Sequence, residues 1–174
     1  SLLGAMRAIA QMISYEIPLI LSALTVVMLV GSMSLPTIVE AQVGKPGDWL
    51  ASWHIFTPWG FAGCLLFFIA ACAEANRSPF DLPEGESEII AGYYLEYSGF
   101  KFALFFLGEY LGLFAASSLG IALFLGGWSA PFPFLNAYIP SWVWFLGKLL
   151  VLIAVFIWVR GTVPRVRMDQ LMNL

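Results

Sequence analysis

Four long apolar runs alternate with short polar segments along the chain. They cover residues 12–34, 57–75, 99–125 and 142–159. A helix needs about 20 predominantly apolar residues to cross the hydrocarbon core of a bilayer, and each run is close to that length. The pattern predicts an all-α integral membrane protein, with four transmembrane helices in a single membrane domain, 1–174. Pro18 and scattered glycines interrupt the runs only lightly, which membrane helices tolerate.

The composition supports a membrane location. Hydrophobic residues make up 60% of the chain and charged residues 11%, and the mean hydropathy is +0.86. The sequence contains no nucleotide-binding or zinc motif, and Cys64 and Cys72 lack the spacing of a metal or redox pair. We therefore expect no metal, nucleotide or nucleic acid to bind. The cysteines are interpreted as packing residues, and the single histidine, His54, as a surface residue.

Positive charges are unevenly divided between the two sides of the predicted helices. One side carries most of them: Arg7, Arg77, Lys101, Arg160, Arg165 and Arg167. The loops on the other side, 35–58 and 126–141, carry only Lys45. Because Lys and Arg are enriched in cytoplasmic loops, both ends of this segment and the loop 76–98 are predicted to face the cytoplasm.

Carboxylates are concentrated in one part of this apolar chain. Seven of its eleven acidic residues lie between positions 72 and 110. Glu109 follows Gly99 by about 15 Å of helix, near the middle of a hydrocarbon core of about 30 Å. An ionised carboxylate at that depth costs on the order of 3 kcal/mol. Glu16 and Glu74 lie near the ends of their helices, where contact with headgroup water explains them equally well.

Two interpretations of Glu109 follow from the residues alone. In the first, it forms a buried ion pair with Lys148, whose predicted depth of about 18 Å from the cytoplasmic face is similar. In the second, it belongs to a proton or ion path, because ionisable groups inside membranes commonly mark such paths. A set of carboxylates that runs from the loop to mid-membrane favours the path.

The loop 76–98 has the signals of a folded element. Within "SPFDLPEGES", Pro83 suits the first position of a short amphipathic helix, and Glu84 and Glu86 suit its positive N-terminal end. Gly92 would end that helix. An acidic lid on a basic partner is the simpler interpretation of the same loop.

Three motifs resemble a known family. In chain order they are "SLLGAMRAIAQMISYEIPL", "EANRSPFDLPEGESEIIAGYYLEYSGFKFALFFLGEY" and "VRGTVPRVRMDQLM". They are similar to segments of a membrane subunit of respiratory complex I, the NADH-quinone oxidoreductase, that is called NADH dehydrogenase subunit 1. The resemblance runs essentially from end to end. Each member of that family has a bundle of about eight transmembrane helices. This chain resembles the fourth to the seventh, so it is expected to be part of a longer protein.

The resemblance implies that the chain couples quinone reduction to proton translocation. The acids that match the family's proton path are Glu16, Glu74, Glu96 and Glu109, and Lys148 is grouped with them as a candidate ion-pair partner. The acids that match the family's loop at the quinone chamber are Asp81, Glu84, Glu86 and Glu88. The basic residues that match those near the quinone cavity, where they balance the acids, are Arg7 and Arg77.

The resemblance also implies partners and a location. Quinone is expected to bind as substrate at an interface with other subunits, and the flavin and iron–sulfur clusters belong to other subunits, so no redox cofactor is expected on this chain. The expected partners are peripheral quinone-module subunits, small membrane subunits and lipid. The expected location is a bacterial inner membrane, or an organellar membrane if the protein is organellar.

Three other functions fit parts of the pattern. The homologous membrane subunit of an energy-converting hydrogenase shares the general architecture but has a different electron partner. An ion-coupled secondary transporter would use Glu109 to bind its ion, although the sequence shows none of the internal repeats common in transporters. A structural anchor for peripheral subunits explains the loop but not Glu109.

Overall fold

A computed structural model describes residues 2–44, 51–75, 80, 98–132, 134–135 and 138–164, and within these ranges the regular structure is all helical. The helices are α1 (Leu2–Val30), α2 (Leu35–Ala41), α3 (Pro58–Glu74), α4 (Phe100–Phe124) and α5 (Ser141–Thr162), with a 3-10 helix at His54–Phe56. The predicted all-α class is confirmed for this part of the chain. The predicted loop 76–98 and its amphipathic helix fall outside it, except for Phe80 and Ser98.

Three of the described helices are long and apolar enough to cross a membrane. They are Ala8–Val30 within α1, the whole of α4 and the whole of α5. The apolar helix α3 has 17 residues, which is about 25 Å of helix and less than the hydrocarbon thickness. The structure therefore supports three spans, and the fourth predicted span stays a prediction.

The helix ends follow local sequence signals. Thr57 caps α3, because its Oγ1 accepts a hydrogen bond of 3.1 Å from the backbone N–H of Gly60, and Pro58 follows at the first helical position, where its missing N–H costs nothing. Gly99 precedes α4 with φ of 61°, a conformation that glycine adopts without strain. The first helix begins at Leu2 rather than at residue 12, and it continues through Pro18.

The core lies where α3 packs against α1 on one side and α4 on the other, with α5 packed on α4. The rings of Phe67 and Phe124 lie 5.7 Å apart in this core. Gly120 lets α4 approach α3 closely, because a Cβ at that position would lie 3.0 Å from the Phe67 ring. Large apolar side chains on the outer faces of α1, α4 and α5 remain exposed, as expected for helices that face lipid or other protein chains.

The structure agrees with the interpretation of the cysteines as packing residues, and it places His54 in a partly buried position. Cys72 is buried in the core and Cys64 is half-buried, and both are free thiols, as the packing interpretation predicted. His54 is half-buried in the 3-10 helix, and its Nε2 atom is buried without a hydrogen-bond partner among the described residues. Burial lowers the pKa of the His54 imidazole, because desolvation disfavours the charged ring.

Candidate functional site

A cavity of about 550 Å³ lies between α1, α3 and α4. Its walls are mostly small or apolar residues: Ala5, Ala8, Ile9, Met12, Ala71, Ala75, Leu104, Phe105, Gly108, Gly112 and Ala116. On α4, the small residues recur every fourth position from Gly108 to Gly120, so they share one face of the helix. At Gly120 this face packs on Phe67, whereas a Cβ built at Gly108 or Gly112 meets nothing within 4 Å. The same stripe therefore packs at one end and leaves space at the other.

Glu74 and Glu109 both line this cavity. Glu74 is the last residue of α3, and Glu109 lies in the first half of the antiparallel helix α4. Phe67 of α3 contacts Gly120 of α4. Measured along each helix from this contact, Glu74 lies about 10 Å away on α3 and Glu109 about 16 Å away on α4, both towards the same end of the bundle. Two carboxylates that are 35 positions apart in the sequence thus meet at one cavity.

Glu16 approaches Glu74 from the facing helix α1, outside the residues that line the cavity. The two helices are antiparallel, because Gln11 contacts Ala73 while Thr25 lies beside Gly63. Side chains lean towards the N-terminus of their own helix, so Glu16 and Glu74 lean towards each other. The two carboxylates are close enough that the charge of Glu16 acts on Glu74. Three of the predicted path residues therefore form one group at one end of the bundle.

Gln11 ties α1 to this end of α3. Its Nε2 donates to the carbonyl oxygens of Ala73, at 2.6 Å, and Phe80, at 2.8 Å. The side chain is only 4% exposed, and its bond to Ala73 is made away from water. The sequence analysis did not single out Gln11, although a lone glutamine in an apolar helix is a signal that a polar partner lies opposite.

The other predicted site residues lie outside the described part of the chain. They are the loop acids Asp81, Glu84, Glu86 and Glu88, the path residue Glu96, and Arg77. Arg7 belongs to α1, but its side chain is also outside the described residues. Their predicted roles stay predictions.

Lys148 does not pair with Glu109. Its Nζ donates to the carbonyl oxygens of Leu125 at 2.6 Å, Gly127 at 3.0 Å and Ser129 at 2.6 Å. Leu125 lies about 24 Å along α4 from Glu109, too far for an ion pair. The prediction from the sequence considered only the depth of the α5 backbone. The lysine side chain extends towards the N-terminus of α5, and hence away from Glu109.

Lys148 instead belongs to a polar network at the opposite end of the bundle. The Trp53 ring lies 4.3 Å from its Nζ, a cation–π contact. The fully buried Gln42 donates through Nε2 to the carbonyls of Ile38, Ala122 and Leu123. Its Oε1 accepts from the N–H groups of His54 and Gly126. We call this network of Gln42, Trp53, Ser129 and Lys148 the closed end, and the group of Gln11, Glu16, Glu74 and Glu109 with its cavity the carboxylate end.

The carboxylates of the carboxylate end offer proton exchange as their chemistry. Among the described residues, no group of three or more His, Cys, Asp or Glu side chains is placed to hold a metal ion. Carboxyl groups beside a cavity can gain and lose protons, and each protonation changes the field on its neighbours. The space between α1, α3 and α4 is large enough to admit water to these groups.

Comparison with known proteins agrees with this membrane architecture. The family model described as NADH dehydrogenase matches residues 1–174. The H subunit of the NADH-quinone oxidoreductase from Geobacillus sp. (strain WCH70) is 55% identical over 175 residues, covering 100% of this chain and 49% of the relative. The proteins of the same name from Carboxydothermus hydrogenoformans and Rubrobacter xylanophilus are 52% and 51% identical, covering 99% and 100% of this chain and 46% and 51% of the relatives. The chain spans about half the length of these curated relatives, and it belongs to the NADH dehydrogenase family.

Proposed function

We propose that this chain is part of the membrane subunit that couples quinone reduction to proton translocation in an NADH:quinone oxidoreductase. The observation that carries the proposal is the shared cavity of Glu74 and Glu109, with Glu16 acting on Glu74 from the facing helix. The shared name of the relatives, a subunit of NADH-quinone oxidoreductase, supplies the driving reaction. It also favours this function over a hydrogenase subunit or a transporter.

The coupling begins with a change of charge at the quinone. Reduction of a quinone to a quinol takes up two electrons and two protons, so acids near the quinone lose protons or feel a new field. We assign this first step to the loop acids Asp81, Glu84, Glu86 and Glu88, with Arg7 and Arg77 as balancing charges. Glu96 continues the path from the loop towards the cavity.

Glu16, Glu74 and Glu109 form the next part of the path. Because Glu16 and Glu74 repel each other when both are ionised, a proton taken up by one stabilises the ionised form of the other. A disturbance that arrives from the loop at Glu74 thereby changes the proton occupancy of the group. Glu109 lines the same cavity and passes the change to the next subunit. Lys148 is left out of this path, because its ammonium group is bound to three carbonyls at the closed end.

The proposal includes the topology and the partners. We propose α3 as a fourth span in a subunit of about eight spans, with the ends of this segment and the loop 76–98 on the cytoplasmic side of a bacterial inner membrane. Peripheral quinone-module subunits and small membrane subunits are the protein partners. Quinone is the substrate at their interface, and the redox cofactors reside on other subunits.

The experiment is Glu109→Gln in the full-length subunit within the assembled complex. We expect assembly and flavin content to be retained and the number of protons pumped per electron to fall, because the amide cannot exchange a proton. Glu40→Gln is the matched control, since Glu40 is an exposed acid on α2, away from the cavity. A normal proton-to-electron ratio in the Glu109 variant would contradict the proposal.

A further inference from the structure

Gln11 joins the last turn of α3 to Phe80 through two hydrogen bonds. The two acceptors of its Nε2 belong to different parts of the chain: the Ala73 carbonyl lies in the last turn of α3, and Phe80 lies beyond the helix. Both partners are carbonyl oxygens, so the NH₂ group must point at them, and this fixes the orientation of the amide. A single amide therefore links the end of α3 to Phe80.

Tyr15 strengthens this connection. It lies four residues after Gln11, on the same face of α1, and its ring packs on the Phe80 ring with 5.6 Å between centroids. The face of α1 that carries Gln11 and Tyr15 thus contacts both the backbone and the side chain of Phe80.

A comparison with Gln42 shows what is unusual about Gln11. Both glutamines are buried and both donate to carbonyls of another helix. The Oε1 of Gln42 accepts two backbone N–H groups, whereas the buried Oε1 of Gln11 has no hydrogen-bond partner in the described part of the chain. A buried acceptor without a donor costs free energy, so Gln11 retains a half-satisfied amide where Gln42 is fully satisfied. Natural proteins retain an unsatisfied buried polar group mostly at functional sites.

We propose that Gln11 is a positioning residue for Glu74. Its amide holds the last turn of α3 against α1 and the Phe80 carbonyl, so loss of the amide moves the Glu74 carboxylate relative to Glu16 and the cavity. Gln11 does not exchange protons itself. The inference rests on the proposed function, because it matters only if Glu74 lies on the proton path.

The test is a double-mutant cycle in the assembled complex with the full-length subunit. The variants are Gln11→Met, which keeps the volume and removes both donors, Glu74→Gln, and the double variant. Two quantities are measured: the proton-to-electron ratio, and the carboxyl band that Glu74→Gln removes from the redox-induced infrared difference spectrum. If Gln11 acts through Glu74, Gln11→Met lowers the ratio and shifts that band, and it causes no further loss in the Glu74→Gln background.

Other results overturn the inference in distinguishable ways. If Gln11→Met leaves both the ratio and the band unchanged, or if its effect adds fully to that of Glu74→Gln, Gln11 is only a packing residue. If Glu74→Gln itself pumps normally, the role of Glu74 in the proposed function fails first. Should Gln11→Met prevent assembly, Gln11→Asn decides by the same cycle, because its shorter amide stays polar but cannot reach both carbonyls. Gln42→Met is the control for the loss of a buried amide. The complexes that assemble with this variant should have the wild-type proton-to-electron ratio.

Discussion

The two ends of the helix bundle use polar side chains in opposite ways. At the closed end, each donor of the Lys148 ammonium group finds a carbonyl, and the Gln42 amide is satisfied at both its nitrogen and its oxygen. At the carboxylate end, Glu74 and Glu109 border open space, and the Oε1 of Gln11 has no partner among the described residues. Fully satisfied polar groups fix a structure, whereas groups beside a cavity can change their protonation and hydration. We propose that charge moves at one end while the other holds the helices in place.

Lys148→Met should have the largest effect on stability. The change removes three charge-assisted hydrogen bonds and leaves the end of α4 without its cation, which costs on the order of 3 kcal/mol. We expect a lower midpoint in thermal unfolding of the purified complex and a lower yield of assembled complex.

Lys148→Arg is the matched variant for that experiment. It keeps the charge but not the geometry of the three bonds, so an intermediate loss of stability is expected. Wild-type stability of the methionine variant would show that the three bonds contribute nothing net, and the closed end would then not be a structural lock.

The stripe of small residues on α4 offers a matched pair for the same comparison. Gly120→Ala adds a Cβ 3.0 Å from the Phe67 ring, so we expect it to destabilise the complex by about 1–3 kcal/mol. Gly112→Ala adds the same methyl group where nothing lies within 4 Å, so stability should be unchanged or raised by up to about 1 kcal/mol.

The two variants also separate packing from function. Because Gly112 lines the cavity, its alanine variant should reduce the proton-to-electron ratio without loss of stability. Gly120→Ala should do the reverse. If both variants behave alike in unfolding and pumping assays, the small residues of α4 do not have separate roles in packing and in the cavity.

The smallest expected effect concerns His54, whose backbone N–H donates to Gln42 of the closed end. Its pKa is lowered by burial, so the folded protein binds fewer protons than the unfolded chain once the pH falls below the unperturbed value of about 6.5. Stability should therefore decrease as the pH is lowered from about 7.5 to about 5.5. His54→Asn should reduce this decrease in thermal unfolding, and an unchanged pH dependence would exclude His54 as its source.

The sequence was sufficient for the four long helices and for three members of the carboxylate end, Glu16, Glu74 and Glu109. The apolar runs correspond to α1, α3, α4 and α5, and the unusual depth of Glu109 and the position of Glu74 pointed to residues that now line one cavity. The start of a helix can be predicted from sequence only where a capping residue marks it. Thr57 marks the start of α3 and Gly99 the start of α4.

Long-range contacts could not be predicted in this way. The acceptor of Gln11 in α3 lies 62 positions away along the chain, and a donor to Gln42 lies 84 positions away; both are backbone groups without sequence signature. The predicted pairing of Lys148 with Glu109 failed for a different reason. It assumed that residues at the same backbone depth also place their side chains at the same depth. The lysine leans by its own length towards one end of α5, and only the packed structure shows that carbonyl oxygens lie there.

The central claim is that the two ends of the bundle are functionally different, and one measurement tests it most directly. The number of protons pumped per electron is determined in assembled complexes that carry Glu109→Gln or Lys148→Met, with each sample normalised to its NADH-driven quinone reduction. We predict a reduced ratio for the Glu109 variant and a wild-type ratio for the Lys148 variant, despite its lower stability. A wild-type ratio for Glu109→Gln together with a reduced ratio for Lys148→Met would contradict the account.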